Sequence, residues 1–296
     1  MSKGHKGGHG HKNTNGHRNH RGGASGDSFF EKAALWVQTL FNKSELEDTS
    51  SSSGFDSETT GIAFGAEKSV TDNTKIGLGY AYSQTDIDAL NRATDVETHT
   101  AILYGEYKPS QWYVNGVVTY GWSDYTEHKN VAGVNVEAKY DAESFGLQTM
   151  TGYEMNAQGY TIVPEVGLRF VHIEQDPYTD TTDQTVSSDD TDTLTGVIAT
   201  KVSKTWELDS GAYITPEVKV AATYDLSNDG STSVVTLANG SAYTVNGEEL
   251  DKLGFEFSTG VTAELNDKVE FSVGYEGKFK EDYQDHSALL NVKYNF

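Results

Sequence analysis

The chain closes with His286-Ser287-Ala288-Leu289-Leu290-Asn291-Val292-Lys293-Tyr294-Asn295-Phe296, and this stretch decides how the remainder is read. Ala288, Leu290, Val292, Tyr294 and Phe296 share one face of a period-two strand, while Asn291, Lys293 and Asn295 share the other. Half-buried strands of water-soluble sheets alternate in the same way. An edge strand in water, however, gains nothing by showing two aromatics at its last turns of pleat. In a barrel immersed in lipid, that face belongs to the apolar band and the aromatics sit at headgroup level. The terminal stretch therefore reads as the closing strand of a membrane barrel.

Composition agrees with this reading. The 296 residues include 30 Gly, 17 Tyr, only 4 Pro and no Cys. No run of eighteen apolar residues occurs, which excludes a spanning helix but not spanning strands, whose apolar residues come at every second position. Disulfide and thiol chemistry are excluded outright. The net charge is −22, unevenly spread: residues 1–26 hold five Lys/Arg, five His (His5, His9, His11, His17, His20) and no acid, leaving 17 basic against 44 acidic residues beyond them. So acidic a chain is a poor partner for nucleic acid. Residues 1–32 read as a flexible, basic Gly/His-rich leader or linker without the apolar core of a signal peptide. Imidazoles bind transition metals, but a glycine-rich segment is costly to order around one, and no metal site is expected.

Beyond the leader, residues 33–296 form one domain of twelve predicted strands: 33–45, 58–70, 75–85, 98–108, 112–125, 144–156, 160–174, 193–206, 212–226, 252–265, 269–280 and 286–296. Ile76, Leu78, Tyr80 and Tyr82 oppose Gly77, Gly79, Ala81 and Ser83; Val269, Phe271, Val273 and Tyr275 oppose Glu270, Ser272, Gly274 and Glu276. The pattern leaves the register of the first and fourth strands open. Short turns near Asp72, Pro109, Ala157, Asp209 and Asp267 alternate with longer connections at 46–57, 86–97, 126–143, 175–192, 227–251 and the brief 281–285. Both ends of the domain then fall on the short-turn side. The expected fold is all-β, a twelve-stranded antiparallel up-and-down transmembrane β-barrel with at most a short helix, over 28–35, before the first strand. A soluble ligand-binding barrel uses about eight strands.

Strand parity assigns candidate sites. Trp112, Tyr120 and Trp122 share a face, and the ten-residue spacing of the two Trp covers about 25 Å along the normal, the height between aromatic girdles. The opposite parity lines the pore with Glu154, Glu165, Arg169, Lys201, Glu217, Lys219, Glu256, Glu264, Glu270, Glu276, Lys278 and Lys293, joined by Glu67. Paired lumen charges have catalytic uses, so a barrel hydrolase resembling omptins or outer-membrane phospholipases is the rival reading, with a narrow porin beside it. His128 and His172 continue the lipid-side parity, and no G-x-S-x-G elbow or His pair with metal spacing is present. The Asp-rich loop 176–192 lacks the spacing of a calcium loop and reads as solvated. Asn239-Gly240, between two β-rich segments, signals a small hairpin.

Ala242-Tyr243-Thr244-Val245-Asn246-Gly247, Phe257-Ser258-Thr259-Gly260-Val261, Val273-Gly274-Tyr275-Glu276-Gly277, Tyr283, His286 and the final Tyr294-Asn295-Phe296 follow one another in a telling order. With Pro164-Glu165-Val166-Gly167-Leu168-Arg169-Phe170 and Tyr178, this order resembles the translocator β-domain of autotransporters, the type V secretion family, over about residues 35–296. The resemblance implies an outer-membrane barrel of a Gram-negative bacterium, with long loops extracellular and both barrel ends periplasmic. It implies export or display of an N-terminal passenger, here missing or minimal, with no cofactor and no enzymatic activity. Its expected partners are the outer-membrane bilayer and lipopolysaccharide, the chain's own passenger, and the barrel assembly machinery, which reads Val292, Tyr294 and Phe296 as an assembly signal. The barrel is expected to be a monomer. Some members cleave their linker at an Asn-Asn pair; none precedes Ala33, so no self-cleavage is expected.

Overall fold

Twelve long strands carry the alternation into one continuous ladder. They are β1 (Ala33–Leu46), β2 (Phe55–Thr71), β3 (Thr74–Ala89), β4 (Arg92–Tyr107), β5 (Trp112–Val131), β6 (Val134–Tyr153), β7 (Tyr160–Gln175), β8 (Thr191–Ser203), β9 (Tyr213–Asn228), β10 (Leu253–Glu264), β11 (Val269–Lys280) and β12 (Tyr283–Asn295). This computed structural model describes residues 32–48, 54–228, 232–246 and 250–296. Each strand pairs antiparallel with its neighbours in sequence, and β1 also pairs with β12, from Ala34 opposite Asn295 to Leu46 opposite Tyr283. The sheet closes on itself, so the ring has no open edge and its backbone groups are satisfied strand to strand.

Period two then separates two environments. Outward lie Val37, Phe41, Phe64, Leu78, Leu103, Val220, Val273 and Leu290, all exposed. Among the described residues, the buried hydrophobic cluster consists of Met150, Val197, Ala199 and Ala221. The apolar surface is thus on the outside and covers every strand, far beyond the few hundred Å² that soluble monomers show. Hydrocarbon is the solvent that suits it. The open registers are resolved: β1 turns Leu35, Val37 and Phe41 outward and Trp36 inward, and β4 turns Leu103 outward and Tyr104 inward.

Several expectations need correction. Residues 86–97 and 126–143 are not loops. β3 and β4 continue to a turn at Leu90-Asn91, and β5 and β6 to a turn at Ala132-Gly133, where both residues have positive φ (50° and 85°), as a two-residue hairpin turn requires. Above the lipid band the outer face meets water instead of hydrocarbon, so the outward apolar alternation stops while the hydrogen-bonded ladder goes on. The predicted strand 144–156 is interrupted after Tyr153 and resumes as Met155–Ala157, in register with β7. Opposite the gap stands Pro164, which has no N–H to donate. The strand expected to reach residue 206 ends at Ser203, followed by a separate Trp206–Glu207 pair of residues on β9. The expected helix is absent where the structure can be read: Ala33–Leu35 are already strand, and residues 28–31, like the leader 1–31 as a whole, lie outside the described residues.

The two longest loops build a small sheet of their own. Tyr178–Thr179, Thr185–Ser188, Thr232–Thr236 and Ala242–Asn246 pair antiparallel in that order. Its hairpin turns at Asn239-Gly240, Gly240 having φ +81°.

Candidate functional site: the barrel lumen

Inward side chains are recognised by bonds that skip strands. Tyr104 on β4 receives the Trp36 indole N–H from β1 at 2.6 Å, and its hydroxyl donates to Glu67 on β2 at 3.1 Å. Lys293 on β12 reaches over β1 to Glu67 at 3.1 Å and also faces Glu270 at 3.6 Å; Lys75 lies 3.5 Å from Glu67. Tyr113 on β5 donates to Glu165 on β7, which Lys219 on β9 approaches to 3.0 Å. Lys201 lies 3.7 Å from Glu217 and 5.9 Å from the centre of the Tyr113 ring. Nearer the long-loop end, Arg169 on β7 grips Glu256 on β10, Lys280 pairs with the buried Asp225 at 2.5 Å, and Asp285 accepts from Asn42 and Ser44. Between these groups the wall is hydroxyl-lined, with Thr59 against Thr85 and Thr98 against Ser123, each 2.8 Å apart. Positive and negative groups are therefore matched locally, and the face offers a passing solute few uncompensated charges.

Two concavities open on this face. One, of about 360 Å³, is lined by Gln148, Arg169, Lys219, Glu256, Ser258, Glu276 and Lys278. Lys278 and Glu276 lie 3.3 Å apart there. The other, about 300 Å³, is a trough floored by Gly260, Gly274, Ser258 and Ser272 beside Gln38 and Asn291. Glu154 sits just past the end of β6, paired with Lys108 at 2.5 Å, and Glu264 faces Glu270 beside the β10–β11 turn. Trp112, Tyr120 and Trp122 are all exposed on the outer wall, as are Val292, Tyr294 and Phe296.

The inward aromatics Trp36, Tyr104 and Tyr113 escaped the sequence reading. Their signal was glycine: a Cβ at Gly65, Gly77 or Gly152 would clash with the rings of Trp36, Tyr104 and Tyr113 respectively, each less than 3.0 Å from the nearest ring atom. The four barrel histidines are on strands near the long-loop end. His172 contacts Asp192 at 2.8 Å, His99 contacts Tyr80 at 2.6 Å, and His286 contacts Tyr275 at 2.7 Å; His128 is exposed. The aspartate loop is not simply solvated. The Asp180 side chain is fully buried and accepts from Thr182 N and Oγ1 (2.8 and 2.7 Å) and from Gln184 N (3.2 Å).

A family profile, the autotransporter β-domain, matches residues 35–276. The chain belongs to that family. Among curated relatives, outer membrane protein A of Rickettsia conorii is 27% identical over 295 residues, covering 92% of this chain but 14% of that protein. Outer membrane protein B of Rickettsia rickettsii is 21% identical over 92% of this chain and 18% of its own length. An extracellular serine protease of Serratia marcescens is 21% identical over 88% and 26%. This autotransporter β-domain thus spans a small fraction of the relatives it matches. Solved structures show the fold: the translocator domain of autotransporter NalP from Neisseria meningitidis superposes with TM-score 0.73 at 17% identity, covering 94% of this chain and 90% of that one. The β-domain of the Bordetella autotransporter BrkA gives 0.70 at 14% identity, covering 90% and 100%. The domain is an outer-membrane translocator barrel of the Gram-negative type.

Proposed function

We propose that this barrel carries a polypeptide from its short-turn side to its long-loop side and then anchors it, with the long loops extracellular and both barrel ends periplasmic. The observation that carries the reading is the contrast of walls: an apolar exterior around a closed, polar interior whose charges neutralise one another across non-adjacent strands. Such a surface lets a chain slide without holding it, because each exposed ion pair in water contributes little and is already satisfied. The reading calls on no catalysis by the barrel itself, and His172, His99 and His286 serve in it as wall contacts of Asp192, Tyr80 and Tyr275. Lipid and lipopolysaccharide contact the outer wall, and the Val292, Tyr294 and Phe296 face is read by the assembly machinery. One barrel suffices, since the ring closes within one chain.

An epitope inserted at Gly240 should be detected on intact cells, and one inserted at Ser110 only after permeabilisation. A reporter fused ahead of residue 1 should become accessible to external protease. A folded, membrane-inserted barrel whose reporter stays periplasmic overturns the export reading, and reversed epitopes overturn the orientation.

A further inference from the structure

The tall hairpin of β5 and β6 keeps its parity beyond the ring. Tyr125, Glu127 and Lys129 on β5, with Val136, Ala138 and Tyr140 on β6, continue the inward faces of those strands. These positions rise above the lumen, where open water would be expected, yet Val136, Ala138 and Glu127 are buried. What covers them is the segment 176–190 between β7 and β8. Tyr178 stacks on Tyr140 (centroids 4.4 Å, planes 14° apart), and Tyr140 stacks on Tyr125 (4.8 Å, 11°). Thr181 N–H donates to the Glu137 carbonyl at 3.0 Å, and Glu137 N–H donates back to the Thr181 hydroxyl at 3.0 Å. Lys129 stands 3.6 Å from Asp180 and 3.3 Å from Glu127, which Arg92 approaches to 3.8 Å.

The segment thus runs on along the free edge of β6, where Asp176 N–H also donates to the Asp141 carbonyl at 2.9 Å, and turns Tyr178 and Asp180 onto the lumen side of the hairpin. It takes the second long loop with it, because Thr185–Ser188 pairs with Thr232–Thr236. We propose that 176–190 is a latch: docked on the inward face of the β5–β6 hairpin, it closes the long-loop mouth of the lumen, and its release opens the exit. The inference rests on the translocator reading for its purpose, but not for its geometry. The contacts favour a separable unit. Stacked rings, the few bonds to Glu137 and Asp141 on the β6 edge and a single charge chain can part together while the ladder below stays intact, and a small bias then shifts the closed and open populations.

The chain has no cysteine, which permits a direct test. A cysteine introduced as Ser258→Cys, on the lumen wall, is probed with a bulky membrane-impermeant maleimide added from the long-loop side of proteoliposomes. Combining it with Tyr178→Ala or with Asp180→Ala should accelerate labelling about tenfold, the mark of a shifted mouth equilibrium. An Asp183→Cys control on the latch turn should label rapidly with or without Tyr178→Ala. Heat-modifiable mobility on gels verifies that each variant is folded; should Asp180→Ala fail to fold, Tyr178→Phe and Tyr178→Ala supply the comparison. Equal labelling of Ser258→Cys with the latch intact and released overturns the proposal. Because labelling needs no transported chain, a barrel that exports nothing can still show the latch, and the two readings fail separately.

Discussion

Arg169 and Glu256 are joined at two points, Nη1 to Oε1 at 2.9 Å and Nη2 to Oε2 at 3.4 Å, although β8 and β9 stand between their strands in the ring. Arg169 Nε also donates to Gln148 on β6 at 3.1 Å. One guanidinium thereby ties three strands across the interior, using the planar fork that lysine lacks. Its head is about one-third exposed, so its worth must be discounted for water. Arg169→Lys and Arg169→Ala are expected to lower stability by about 1–2 kcal/mol, with coupling to Glu256→Gln in a double-mutant cycle. Urea titration read by gel mobility measures this. Additive effects of the two single changes would show that the pair does not couple the strands.

The glycines facing Trp36 make a steric prediction. Gly65→Ala presses a Cβ against the Trp36 ring, 2.5 Å from its nearest atom and closer still to the Leu78 carbonyl oxygen. Overpacking of this kind costs about 1–3 kcal/mol. The folded fraction should fall in Gly65→Ala and recover in part when Trp36→Ala is added. Recovery is the discriminating result, since a backbone effect of losing glycine would persist without the ring.

How much of this was legible from residues follows from what each one faces. β12 was readable because its outward residues meet lipid and its inward residues water, so the two alternate cleanly. The same rule explains the failure at 86–97 and 126–143, where strands leave the membrane and the outer face no longer selects apolar residues. Trp36 and Tyr104 were missed because aromatics on an inward face break the outside-apolar rule; only the glycines opposite them report it. Asp180 was invisible in principle: one carboxylate among several in a loop looks solvated until Lys129 is brought to it from a strand far apart in sequence.

The terminal strand supports a prediction about assembly. Tyr294 and Phe296 pack edge to face (5.1 Å, 82°), Lys268 lies 5.6 Å from the Tyr294 ring, and Phe296 N–H donates to the Ala33 carbonyl at 3.0 Å. Replacing Tyr294 and Phe296 with Ser removes a girdle element but leaves the β1–β12 register, set by backbone bonds over Ala34–Leu46. Refolding into detergent should therefore fall modestly, whereas the amount of folded barrel reaching the outer membrane in cells should fall several-fold. Equal losses in both assays would reduce these aromatics to a structural role.

The latch should respond to acid. Burial pushes the Asp180 carboxyl up, but hydrogen bonds from Thr182 and Gln184 and the charge of Lys129 outweigh it and hold the group below its ordinary value. A carboxylate depressed in the docked state stabilises that state above the undocked pKa of about 3.9, and the contribution is lost as pH falls through the lower, docked value. The facing Tyr178 does not reverse this: pushed up to about 12 by burial and by the charges of Glu127 and Asp180, it stays protonated throughout. A nitroxide on Asp183→Cys should thus be equally restrained from pH 8 to 5 and gain mobility below about pH 4. Asp180→Asn should flatten the profile, since it keeps an acceptor for Thr182 but cannot titrate. Identical spectra at pH 7 and pH 3 from a barrel still folded by gel mobility would show that the Asp180 charge does not hold the loop in place.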